Sequence, residues 1–217
     1  MNIIEKAIEN DRERIGGICI NKSLKYKLAE FIIKIKYKDI RKKYPYLNLG
    51  CGNNFYNNFI NVDILVNKKL LFSNIKNYLY MDVSKKWIFP KNYFEGIYTE
   101  HLLEHLTYKV AIDVLQKCYN SLKDGGVIRI IVPSLDKYLQ NQEIINEYNG
   151  YKALAISNLT QNTGHISTWD FKLMKDILHE IGFSEVVKLD FKKGKNFALL
   201  KDTEVRKKYS MYIEAYK

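Results

Sequence analysis

The chain has 217 residues, 47% of them apolar, and a formal charge of +11. That suffices for one α/β domain with a full core but not for two, and no run is long and apolar enough to span a membrane. Cys19, Cys51 and Cys118 are widely spaced without a CxxC pair, which argues against both a disulfide framework and a cysteine zinc site. Met1–Gly17 is mostly charged and lacks the apolar core of a secretory signal, so the expected location is cytoplasmic.

Taken in chain order, residues 20–43 place Ile20, Leu24, Leu28, Phe31, Ile32 and Ile35 at helical spacing, with Lys22, Lys25, Lys27, Lys34, Lys36 and Lys38 around them. Residues 1–44 are therefore expected to form a basic, helical N-terminal segment, and 45–217 the main domain. Tyr46–Leu49 predicts a first strand, followed by Gly50-Cys51-Gly52 and a run of asparagines. Phe59–Val62, ending at Asp63, predicts a second strand; Leu79–Met81, ending at Asp82, a third; and Gly96–Thr99 a fourth.

A helix is expected from about His101 to Leu122, because Leu102, Leu106, Val110, Val114 and Cys118 repeat at helical steps. Asp124-Gly125-Gly126 should turn the chain into Val127–Val132, which is apolar except for Arg129, as in a strand covered on both faces. Residues 137–163 read as a helix plus a polar loop. Ser167 or Thr168 is expected to cap a helix that ends at Gly182. Phe183–Phe191 and Tyr209–Tyr216 predict two closing strands. Alternating strands and helices imply a largely parallel sheet with helices on both faces, whose ligands bind beyond the carboxyl ends of the strands.

Gly50–Gly52, Asp63, Asp82 and Thr99–His101 all fall at such ends. Glycines after a first strand let the backbone approach a ligand, and an acid ending the next strand can accept ribose hydroxyls. Asp63 follows Gly52 by about eleven residues, which is short of the roughly twenty in dinucleotide folds and argues against a nicotinamide enzyme.

Leu47-Asn48-Leu49-Gly50-Cys51-Gly52, Asn61-Val62-Asp63, Glu100-His101-Leu102-Leu103-Glu104-His105-Leu106 and Leu122-Lys123-Asp124-Gly125-Gly126 together resemble a bacterial group of class I methyltransferases with a shortened first crossover. The resemblance spans roughly residues 46–216. It implies a Rossmann-like fold with an antiparallel C-terminal strand, and S-adenosylmethionine as cofactor. Gly50, Cys51 and Gly52 would then line its methionine portion, Asp63 would hold the ribose, and Asp82 with Val83 would border the adenine. Thr99 and Glu100 would lie near the sulfonium. Asn48 stands where many relatives carry an acid, and would bond the cofactor's amino or carboxylate group.

Methyl transfer needs donor and acceptor held in line, plus proton removal where the acceptor is a hydroxyl. His165, in a loop, is the first choice of base, and His101 the second. His101-Leu102-Leu103-Glu104-His105 also spells the H-x-x-E-H of inverted zinc hydrolases, but no third ligand is evident and no metal is expected. The leading acceptor is a saccharide hydroxyl or another small molecule. An RNA or DNA acceptor drawn by the basic segment, peripheral membrane contact through that segment, and a non-catalytic cofactor-binding protein are the alternatives.

Overall fold

A computed structural model describes residues 2–9, 43–64, 77–85, 87–161 and 164–217. The helix expected over 20–43, and Cys19, lie outside the described residues. Among those described, no helix is long and apolar enough to cross a membrane.

The strands are β1 (Tyr46–Leu49), β2 (Phe59–Asp63), β3 (Tyr78–Tyr80), β4 (Phe94–Glu100), β5 (Leu122–Pro133), β6 (Glu185–Leu189) and β7 (Ser210–Tyr216). They form one seven-stranded sheet in the order β3-β2-β1-β4-β5-β7-β6. β7 runs antiparallel to both β5 and β6, and the remaining pairs are parallel. β1 lies between β2 and β4, so strand order reverses there and a crevice opens beyond its carboxyl end.

The helices are α1 (Ile3–Glu9), α2 (Tyr108–Ser121), α3 (Leu135–Gln140), α4 (Gln142–Asn146), α5 (Lys152–Gln161) and α6 (Phe171–Ile181). α2 buries Ala111, Val114, Leu115 and Cys118, and α6 buries Met174, Ile177, Leu178 and Ile181. Both stripes join Leu47, Ile60, Ile97, Ile128 and Ile213 in the main core. A second cluster, aromatic in character, unites Phe59, Tyr98, Val127, Ile131 and Tyr212 with Leu199 from the segment after β6.

Several expectations are corrected. The helix after β4 starts at Tyr108, where Thr107 accepts from Val110 N–H, and not at His101. His101 has φ 54° and Leu106 is extended, so Leu103–His105 forms a separate single turn. α6 is capped by Asp170, which accepts from Leu173 N–H at 2.7 Å, and not by Ser167 or Thr168. Ser167 instead donates to the Leu103 carbonyl and accepts from Trp169. The single helix expected within 137–163 is three short ones, α3 to α5. α1 lies within the segment expected to be helical; Asn2 and Glu5 cap it reciprocally, side chain to backbone, at 2.8 and 3.0 Å.

The shortened first crossover contains no helix. Buried asparagines tie it down instead. Asn48 Nδ2 donates to the Asn54 carbonyl and to Asn61 Oδ1, and Tyr56 N–H donates to the same Oδ1. Asn61 and Asn77 amides both donate to the Tyr56 carbonyl. Side-chain amides thus satisfy the backbone groups that a helix would have paired internally.

Candidate functional site

The loop after β1 closes on the end of β2. Gly50 and Cys51 N–H both donate to the Val62 carbonyl, at 2.9 and 3.0 Å, and Gly52 N–H donates to Asp63 Oδ2 at 2.8 Å. Both glycines have positive φ. A side chain at Gly50 would meet Leu102 at 3.0 Å, whereas nothing among the described residues lies within 4 Å of a side chain built at Gly52. The Cys51 side chain is buried, so its backbone alone faces the crevice; burial, reinforced by the Asp63 charge, pushes its thiol up.

Asp63 ends β2 at the mouth of this loop, 9% exposed. Asp82 follows β3, where its carboxylate accepts from Ser84 N–H and Oγ–H and pairs with Lys85 at 2.9 Å. Burial works against its charge, but these partners outweigh it and hold the carboxyl below its ordinary value. Val83 beside it is buried. Thr99 and Glu100 are successive residues of a strand, so they face opposite sides. Thr99 Oγ1 is buried without a hydrogen-bond partner among the described residues. Glu100 is engaged elsewhere, accepting from Thr203 N–H at 2.9 Å and from its hydroxyl. Asn48 is likewise committed, to the asparagine network.

No protein-family model and no curated protein matches the sequence. Solved structures do. An S-adenosylmethionine-dependent methyltransferase from Archaeoglobus fulgidus aligns over 90% of this chain and 100% of its own, at TM-score 0.54 and 19% identity. Another from Mesorhizobium loti covers 87% and 98%, at 0.53 and 15%. One from Thermotoga maritima covers 88% and 99%, at 0.53 and 10%.

The fold is that of the class I methyltransferases.

Two features at the carboxyl end of β1 and β4 leave a place for a ligand. The space over Gly52 leaves room for a ligand against bare backbone. The unpartnered Thr99 hydroxyl, level with Leu49 in the β1–β4 register, lacks a partner that a ligand would supply. The larger described cavity lies elsewhere: about 690 Å³, lined by Lys137, Lys188, Phe191, Lys207, Ser210 and Tyr212 among others, and by none of the expected cofactor residues.

The histidines gather past β4. His101 Nε2 lies 2.7 Å from Ser210 Oγ, and its Nδ1 lies 3.0 Å from Glu104 Oε1. His105 and His165 meet edge to face, with ring centroids 5.1 Å apart. His101 and His105 are therefore not helix neighbours, because the chain turns sharply at His101. That overturns the helical reading of the H-x-x-E-H run. The approach of His165 to His105 was invisible in the sequence, where sixty residues separate them.

Proposed function

We propose that the chain is an S-adenosylmethionine-dependent methyltransferase acting on a small-molecule or saccharide hydroxyl. The observation that carries the reading is the open space over Gly52 beside the Asp63 carboxylate, at the point where strand order reverses. Gly50 and Gly52 would hold the methionine portion by backbone, Asp63 the ribose hydroxyls, and Asp82 with Val83 the adenine. Thr99 would face the sulfonium. The bound cofactor supplies an activated methyl group for in-line displacement by the acceptor.

The chain's own residues would then position and deprotonate the acceptor. The 690 Å³ cleft, lined by charged side chains, Phe191, Tyr212 and the Ser210 that meets His101, would be the place for the acceptor. Proton removal would fall to the histidines past β4, of which His101 is already held between Glu104 and Ser210.

Calorimetric titration with S-adenosylhomocysteine tests the reading. Wild type should bind with Kd on the order of micromolar, and Asp63→Ala should weaken binding at least about tenfold through loss of charge-assisted hydrogen bonds. Absence of binding by folded wild-type protein would remove the assignment, and unchanged affinity in the variant would remove the ribose role.

A further inference from the structure

Glu104 is 1% exposed; its Oε1 has only the His101 Nδ1 at 3.0 Å, and its Oε2 has no hydrogen-bond partner among the described residues. Burial penalises a carboxylate oxygen left without a donor or cation, and Oε2 has neither among the described residues. One ligand atom each from Glu104, His105 and His165 lies within 4.8 Å of the others.

Both imidazoles are fixed from behind. His105 Nδ1 faces the Gly164 carbonyl at 3.2 Å, and His165 Nδ1 faces the Leu159 carbonyl at 2.6 Å. A carbonyl only accepts, so each Nδ1 carries the proton and each Nε2 carries the lone pair. Metal-binding histidines are held in this way, donating one ring N–H to a backbone carbonyl while the other nitrogen ligates. The two segments are stitched together independently of any ion: Ile166 and Ser167 N–H donate to the Glu104 carbonyl at 2.7 and 3.1 Å. His101 stands behind Glu104, its Nδ1 3.0 Å from Oε1, where it orients the carboxylate.

We propose that Glu104, His105 and His165 bind a divalent transition-metal cation, with His101 as a positioning residue. Two imidazoles and one carboxylate favour zinc and its neighbours over calcium or magnesium, and leave coordination positions open. Donors around such an ion stand roughly 3.4 Å apart. The three atoms, now within 4.8 Å of one another, would have to draw together on binding. The sequence motif thus contributes a glutamate and one histidine, and the third ligand comes from a loop sixty residues later.

The binding claim is independent of methyl transfer. A catalytic use of the cation rests on the methyltransferase reading: the ligand-bearing turn follows Leu102, which packs on Gly50, so an ion there would sit by the cofactor loop and polarise an acceptor hydroxyl. His165 would then act on the acceptor through the ion.

The test uses untagged, chelator-stripped, full-length protein without cofactor or acceptor, titrated with Co2+ by visible absorption and with Zn2+ by calorimetry. One equivalent should bind at about micromolar Kd or tighter. Glu104→Gln and His165→Ala should each weaken binding at least about 100-fold, and His101→Ala by about 10-fold, while His179→Ala leaves it unchanged. Should a variant fail to fold, histidine nitrogen NMR of the wild type decides, since the chain has four histidines. Zinc should shift the Nε2 signals of His105 and His165. No saturable binding by folded wild type, retention of binding in both ligand variants, or shifts confined to His179 would each overturn the proposal.

Discussion

Gly50 and Gly52 hold φ of 69° and 52°, and a methyl group at each meets different surroundings. Alanine at Gly52 should cost about 1–2 kcal/mol for the left-handed backbone, yet reduce S-adenosylhomocysteine affinity at least about tenfold by filling the cradle. Alanine at Gly50 adds a collision with Leu102, so its loss in urea unfolding should exceed that of Gly52→Ala. Equal losses would show that Leu102 yields freely. Asp82 gives a pH signature. A carboxyl held below its ordinary 3.8 contributes stability that is complete above that value and is lost as pH falls through the lowered one. The stability gap between wild type and Asp82→Asn should therefore stay constant from neutral pH to about 4 and shrink below it. A gap that widens on acidification would contradict the Ser84 and Lys85 contacts. At this scale the sequence exposed the glycines and strand-end acids, because backbone geometry demands those residue types locally. It did not expose Asn48 as a loop anchor, since its partners Asn54 and Asn61 are set by the path of the crossover.

Arg129 is wholly buried in β5, with Nε and Nη2 on the two Asp202 oxygens and Nη1 on Glu214 Oε1 at 3.0 Å. It ties three elements together: β5, β7 and the segment carrying Asp202. That segment also folds onto the group, through Lys192 N–H to Asp202 and Lys195 N–H to Glu214. A side chain at Gly194 would strike the Glu214 carboxylate, so the chain passes there only as glycine. Asp202→Asn leaves the buried guanidinium short of charge and should cost about 3–5 kcal/mol in denaturant unfolding. A loss below about 1 kcal/mol would mean that the site admits water. Element positions were largely legible, because β1 and β2 are mostly apolar runs closed by glycine or acid. The start of α2 was not. Leu102, Leu103 and Leu106 continue its apolar period, but tertiary bonds from Ile166 and Ser167 to Glu104 hold that stretch as a separate turn. Periodicity registers burial and is blind to such cross-chain pairing.

On the scale of the molecule, the alternation of strands and helices foretold a mostly parallel sheet, and the resemblance foretold its antiparallel strand. Neither placed the histidine cluster, since contact between residues 104 and 165 depends on how α3 to α5 pack above the sheet. The same sheet order bears on synthesis. β7 pairs with β5 along Val127–Pro133 and with β6 along Glu185–Leu189, separating two strands made well before it. From the moment Pro133 emerges until Ser210 follows, one edge of β5 has its ladder groups unpaired, and such an edge is adhesive. For most of that interval Arg129 has neither Asp202 nor Glu214 to meet it, and Glu214 comes only after Ser210. A lone charge on an unfinished edge discourages neighbouring nascent chains from pairing there, so the residue that later locks the sheet also guards it while it is incomplete.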